Sequence, residues 1–292
     1  MKHTLKNGFL TAVIDEHGAE LHSVKSTDGF EYIWNNENPA FWCDHAPVLF
    51  PICGRLAGGA YTVGGVEYKM NIHGFAMHKN FAVVEKNDTR LVLRLTDDEE
   101  TLAQYPFSFT LTITYELSGS SLSLDIKVEN KSDKVMPYMV GWHPGFNLDT
   151  RSGAKINDFS LEFTKSDILS HYPRYSNGHI SGVGFDYKIS GNKYFLNEKE
   201  IYDIGTMIFG GTGTSARLSA ENAEKSLTLS WSENIPFLCI WKTEKSEAEF
   251  ICVEPWTDLS TCGRVEENFD EKKLSRLAVG ASAEYSYKVD FS

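Results

Sequence analysis

The segment from Thr110 to Val128 constrains the fold more than any other part of the chain. Leu111, Ile113, Tyr115 and Leu117 alternate with Thr110, Thr112, Thr114 and Glu116. After Ser118-Gly119-Ser120-Ser121 the alternation resumes at Leu122, Leu124, Ile126 and Val128. An apolar period of two gives an extended strand one greasy face, and a Gly/Ser break between two such runs predicts an antiparallel hairpin. The same period recurs at Leu91-Val92-Leu93-Arg94-Leu95, Leu227-Thr228-Leu229-Ser230-Trp231 and Tyr285-Ser286-Tyr287-Lys288-Val289. Gly64-Gly65, between Tyr61-Thr62-Val63 and Val66-Glu67-Tyr68, reads as a two-residue turn.

Helical periodicity is nearly absent. The exception runs from Asp97 to Gln104, where acids favour a helix start and the following Pro106 ends it after one or two turns. Gly210-Gly211-Thr212-Gly213-Thr214 reads as a loop joining strands, and no Pro/Ser-rich linker or fixed-period repeat divides the chain. The expectation is an all-β protein: residues 1–292 as a single domain, a large antiparallel β-sandwich with its sheets packed face to face.

Charge narrows the partners. A formal net charge of -12 with no Lys/Arg block argues against nucleic acid and against an anionic membrane, since phosphates must be met by clustered cations. A small molecule is the expected partner; the oligomeric state is left unknown. The five cysteines, Cys43, Cys53, Cys239, Cys252 and Cys262, are odd in number and contain no Cys-x-x-Cys pair, which points to reduced thiols. The first residues, Met1 to Gly8, lack the apolar run of a signal peptide. Together these features lead to an expected cytoplasmic location.

Four short segments carry groups suited to chemistry. In Gly141-Trp142-His143-Pro144-Gly145-Phe146 and Val253-Glu254-Pro255-Trp256, a histidine and a glutamate each precede a proline. The proline holds the preceding residue near extended geometry and so fixes its orientation. Trp142, Phe146 and Trp256 flank them, and aromatic faces suit the C–H-rich face of a pyranose. Either residue alone could equally be a core histidine or a rim carboxylate; the two motifs in one chain favour an acid and a base. Arg55, after the apolar run Pro47 to Cys53, could fork onto vicinal hydroxyls or sit in a strand-end ion pair. His73, before Gly74, could donate to a sugar hydroxyl or close the edge of the core.

The ordered series Gly54-Arg55-Leu56, Ile72-His73-Gly74-Phe75, Gly141-Trp142-His143-Pro144-Gly145-Phe146 and Val253-Glu254-Pro255-Trp256 resembles the aldose 1-epimerase (galactose mutarotase) superfamily, and within it the bacterial LacX-like branch. The likeness runs from Gly18-Ala19-Glu20-Leu21 to the closing strand at Tyr285 to Val289. It implies a single β-sandwich of the mutarotase type that works without metal or organic cofactor. It further implies that His143 is the general acid on the ring oxygen, that Glu254 is the base on the anomeric hydroxyl, and that Arg55 and His73 contact the sugar. An aspartate for sugar hydroxyls is matched to Asp203 in Ile201-Tyr202-Asp203-Ile204, an ordinary turn aspartate being the alternative.

That chemistry suits the residue types. A base takes the C1 hydroxyl proton while an acid protonates the ring oxygen; rotation and reclosure give the other anomer. The acid and base are expected to reach the C1–O5 region from opposite sides. A phosphorylated hexose would need an added cationic pocket, for which Arg55, Lys79, Arg174 and Arg264 are the candidates. A sugar-binding protein without turnover is the remaining alternative; a glycosidase would need two carboxylates, and only Glu254 has a motif context.

Overall fold

The computed structural model describes residues 1–35, 40–164, 167–175, 180–244, 248–260 and 267–292; Cys262 and Arg264 lie outside them. The fold is an all-β sandwich of antiparallel sheets. The larger sheet has nine strands in the spatial order Lys193–Phe195, Ser160–Phe163, Ser215–Ser219, Leu227–Trp231, Ser282–Phe291, Ser121–Asn130, Phe109–Ser118, Arg90–Thr96 and Ala82–Lys86. The expected hairpin lies near its centre, with Leu111 opposite Val128, Ile113 opposite Ile126 and Tyr115 opposite Leu124. These side chains are fully or almost fully buried while the intervening Thr112, Thr114 and Glu116 are not. Truncating any one of them to Ala removes about 2–5 kcal/mol, the cost of a cavity in a close-packed core.

The second sheet has eight strands and positions the site. Its order is Phe185–Lys188, Ile168–His171, Thr206–Gly210, Phe237–Trp241, Phe250–Trp256, Gly141–Trp142 and Val48–Leu49, with Gly145–Asn147 also pairing onto Phe250–Trp256. Phe250–Trp256 is buried along its whole length because both of its faces are covered. Ile251 and Val253 join the hydrophobic core, whereas Phe250 and Cys252 join a separate cluster with Trp34 and Ala248. A three-stranded sheet, Lys2–Lys6, Leu10–Asp15 and Leu21–Ser26, adds a further layer.

Local expectations from sequence are met in several places. Val63 pairs with Val66 across Gly64-Gly65, whose φ angles of 57° and 74° are those a tight hairpin turn requires. The helix Glu99–Gln104 starts at Asp98, whose carboxylate accepts from the Thr101 N–H at 2.7 Å, and it ends before Pro106. Residues 211–214 join Thr206–Gly210 to Ser215–Ser219 as a loop. The helix Glu198–Ile204 was not anticipated; Asn197 caps it by accepting from the Glu200 N–H at 3.1 Å, and Gly205, at φ 84°, ends it. No helix among the described residues is long and apolar enough to cross a membrane. Cys53, Cys239 and Cys252 are buried free thiols.

Candidate active site

Strand register decides which side chains reach the cleft. On Phe250–Trp256 the residues Cys252, Glu254 and Trp256 share one face, and Cys239 and Trp241 of the neighbouring strand pair with Glu254 and Cys252 on that face. Gly141 stands opposite Trp256 and Gly145 opposite Cys252. A Cβ at Gly141 would lie 2.6 Å from the Trp256 indole, so only glycine leaves room for that ring. His143 sits between these two glycines, its N–H donating to the Pro47 carbonyl at 3.0 Å.

These constraints bring His143 and Glu254 together on the floor of a cleft of about 460 Å³. His143 Nε2 lies 3.3 Å from Glu254 Oε2, side by side instead of across a sugar-sized gap as expected. The two groups can still serve one sugar, because the ring oxygen and the anomeric hydroxyl are bonded to the same carbon. Glu254 is 1 % exposed and His143 7 %. His143 Nδ1 and both Glu254 carboxylate oxygens have no hydrogen-bond partner among the described residues. Each such buried group costs about 1–3 kcal/mol unless something else satisfies it, and a bound polyol would.

Burial sets the charge of the pair. It lowers His143 to about 4 and pushes the Glu254 carboxyl well above the usual carboxylate range. His143 is therefore neutral near pH 7, and burial favours the protonated form of the Glu254 carboxyl. His73 is likewise held well below the histidine range, first by burial and then by the neighbouring His143 and Arg55. His73 Nδ1 accepts from the Gly54 N–H at 3.1 Å while its own N–H donates to the Gly54 carbonyl at 2.8 Å. This clasp puts the ring proton on Nε2 and holds the His73 and Arg55 loops together. Both partners adopt left-handed backbone, φ 64° at His73 and 75° at Gly54, and at a non-glycine such as His73 that strain marks a residue the surroundings hold in place.

The cleft lining contains Arg55, His73, His143, Glu254 and Trp256 from the sequence-based set. Three others lie elsewhere. Trp142 points into the sandwich core, its indole N–H donating to the Ala46 carbonyl at 3.0 Å. Phe146, opposite Ile251 in register, is fully buried on the same core side. Asp203 sits on the outside of the Glu198–Ile204 helix, with its side chain 61 % exposed and paired with Lys199. Of the candidate cations, Arg174 lines the cleft, whereas Lys79 is engaged by Asp98 and Glu100 away from it.

Besides Trp256, the aromatic walls come from residues that sequence reasoning did not single out. The Trp42 ring lies 5.0 Å from that of His143 at 31°, and Trp241 is 5.9 Å from His143. Asp44, Thr206 and Met77 also line the cleft. The alternation in Phe237–Trp241 places Trp241 and Cys239 on one face, but only pairing with Glu254 shows which face that is.

A β-sandwich whose cleft holds a buried His/Glu pair ringed by indoles fits a carbohydrate-related class of protein. The comparisons agree: the aldose 1-epimerase family model matches residues 1–274, and the chain belongs to that family, in its LacX-like branch. It is 30% identical over 271 residues to chromosomal protein LacX of Lactococcus lactis subsp. lactis, covering 88% of each chain. Among solved structures, a galactose mutarotase related enzyme from Lactobacillus acidophilus is 29% identical with a TM-score of 0.93, covering 100% of this chain and 97% of that one. A galactose mutarotase-like protein from Lactobacillus casei is 30% identical with a TM-score of 0.91, covering 100% of both chains.

Proposed function

We propose that the protein is an aldose 1-epimerase that interconverts the α and β anomers of a free hexose by ring opening and reclosure. The observation that carries this reading is the buried contact of 3.3 Å between His143 and Glu254 at the base of an aromatic-walled cleft. In the reaction Glu254 takes the proton of the C1 hydroxyl while His143 gives one to the ring oxygen. The C1–O5 bond breaks, C1 rotates about C1–C2, and the roles reverse on closure.

The neutral pair and the His⁺/Glu⁻ pair hold the same number of protons. Sugar hydroxyls donating to the carboxylate can thus shift the pair to its ionic form with no proton taken from solvent. Arg55 and the Nε2–H of His73 are the hydroxyl and ring-oxygen donors, and Trp42, Trp241 and Trp256 supply the apolar faces. Residues 1–292 act as one domain in this reading, supported by a hydrophobic cluster that runs from Leu5 to Phe291.

A 6-phosphorylated hexose is a second reading, favoured by Arg55 and Arg174 both lining the cleft. NMR anomer exchange on free and 6-phosphorylated aldoses separates the two, with methyl glycosides as controls. The free-hexose reading expects acceleration of free sugars and none of methyl glycosides, which have no anomeric proton to lose. Turnover of a methyl glycoside would indicate a glycosidase. Sugar binding with no acceleration on any aldose would indicate a binding protein.

A further inference from the structure

A cluster of ligating side chains includes His45, three residues along the chain from Trp42. Glu20 immediately precedes the strand Leu21–Ser26, His22 is on that strand, and His45 comes from the segment leading into Val48–Leu49. Donor atoms from all three lie within 4.8 Å of one another. Glu20 Oε2 is 3.1 Å from His22 Nε2, and the rings of His22 and His45 are 4.2 Å apart.

The surroundings orient these groups. Glu20 Oε1 accepts from the N–H groups of His45 at 2.7 Å and Ala46 at 3.1 Å, which leaves Oε2 facing His22. His45 Nδ1 meets the Trp34 carbonyl at 3.0 Å. A carbonyl can only accept, so that nitrogen carries the proton and the lone pair sits on Nε2. Backbone partners that fix a histidine tautomer and tie down one carboxylate oxygen are the outer shell that metal-binding residues usually have.

We propose that Glu20, His22 and His45 form a binding site for a divalent transition-metal ion of the zinc type. Two imidazoles and one carboxylate are a zinc-like donor set, and the fourth position falls to water. The ion ties the segment bearing Trp42 and Asp44 to the Leu21–Ser26 strand and so sets one wall of the cleft. It takes no part in proton transfer, which belongs to His143 and Glu254.

The test is zinc titration of chelator-stripped protein, under reducing conditions, against a chromophoric competitor. Wild type is expected to bind one equivalent with a Kd of about 10 µM or tighter. His22→Gln and His45→Gln, each checked for native circular dichroism, are expected to weaken binding by at least about 10-fold, and His143→Asn to leave it unchanged. Zinc should also raise the melting temperature of wild type and of neither Gln variant. Failure of wild type to bind one equivalent in that range would overturn the proposal and leave Glu20 as a hydrogen-bond acceptor for the loop. So would Gln variants that bind as tightly as wild type, or binding lost in His143→Asn.

Discussion

Glu254→Gln tests the site in two independent ways, because the wild-type carboxyl is both the base and a buried titrating group. The amide keeps the size of the side chain but cannot take the C1 hydroxyl proton. General-base catalysis contributes about 10²–10⁴-fold, so anomer exchange should fall by at least about 10²-fold while sugar affinity changes little. Stability should move the other way. In the unfolded chain Glu254 titrates near the ordinary glutamate value of 4.5, and burial raises it well above that in the fold. Between those two values folding takes up a proton, so wild-type stability falls as pH rises, by about 1.4 kcal/mol per pH unit for this group. Glutamine does not titrate. The variant should therefore gain on wild type as pH rises above 4.5, with the gap levelling off at the folded-state pKa. Polarimetry and thermal melts at pH 5, 6, 7 and 8 read both effects. A variant that keeps more than about a tenth of wild-type activity would refute the role of Glu254. One that is less stable than wild type at pH 8 would refute the account of its burial.

The pH profile of kcat/KM should be bell-shaped, with pKa values that belong to the pair. Its acid limb falls near 4, where His143 takes a second proton and the carboxyl is already protonated, and its alkaline limb lies above the usual carboxylate range, where the acidic proton is lost. An acid limb near the ordinary histidine value would contradict the burial of His143. Trp42→Ala removes the ring 5.0 Å from His143 and should raise KM about 2- to 10-fold, the equivalent of about 0.5–1.5 kcal/mol of aromatic contact, with kcat less affected. Gly54→Ala forces an L side chain to φ 75° and puts its Cβ 2.8 Å from Ser260 Oγ. It should cost about 1–2 kcal/mol in melts and weaken sugar binding by loosening the His73 clasp.

The sequence determined the elements more fully than the site. Alternation at 111–128 specifies a hairpin because a strand half exposed to water must keep its polar residues on one face. Gly64-Gly65 and Asp98 specify a turn and a helix start through local backbone chemistry that needs no distant partner. The Glu198–Ile204 helix escaped notice because seven residues give too little periodicity to read, although Asn197 and Gly205 bracket it as cap and stop. His143 and Glu254 stood out because proline after each is a local signal.

Which aromatics wall the cleft was settled only in three dimensions. The residues around His143 and those of Phe250–Trp256 are buried on both sides, so apolarity carries no record of which face is which. Trp142 and Phe146, neighbours of His143 in sequence, turn into the core because Phe146 registers with Ile251 and alternation carries Trp142 away from the cleft. Trp42 and Trp241, far from His143 in sequence, reach its ring because Trp241 registers with Cys252 and the segment before Pro47 folds over the strand. Local sequence fixes how a strand alternates, whereas the register between strands distant in the chain fixes which half of that alternation meets the substrate.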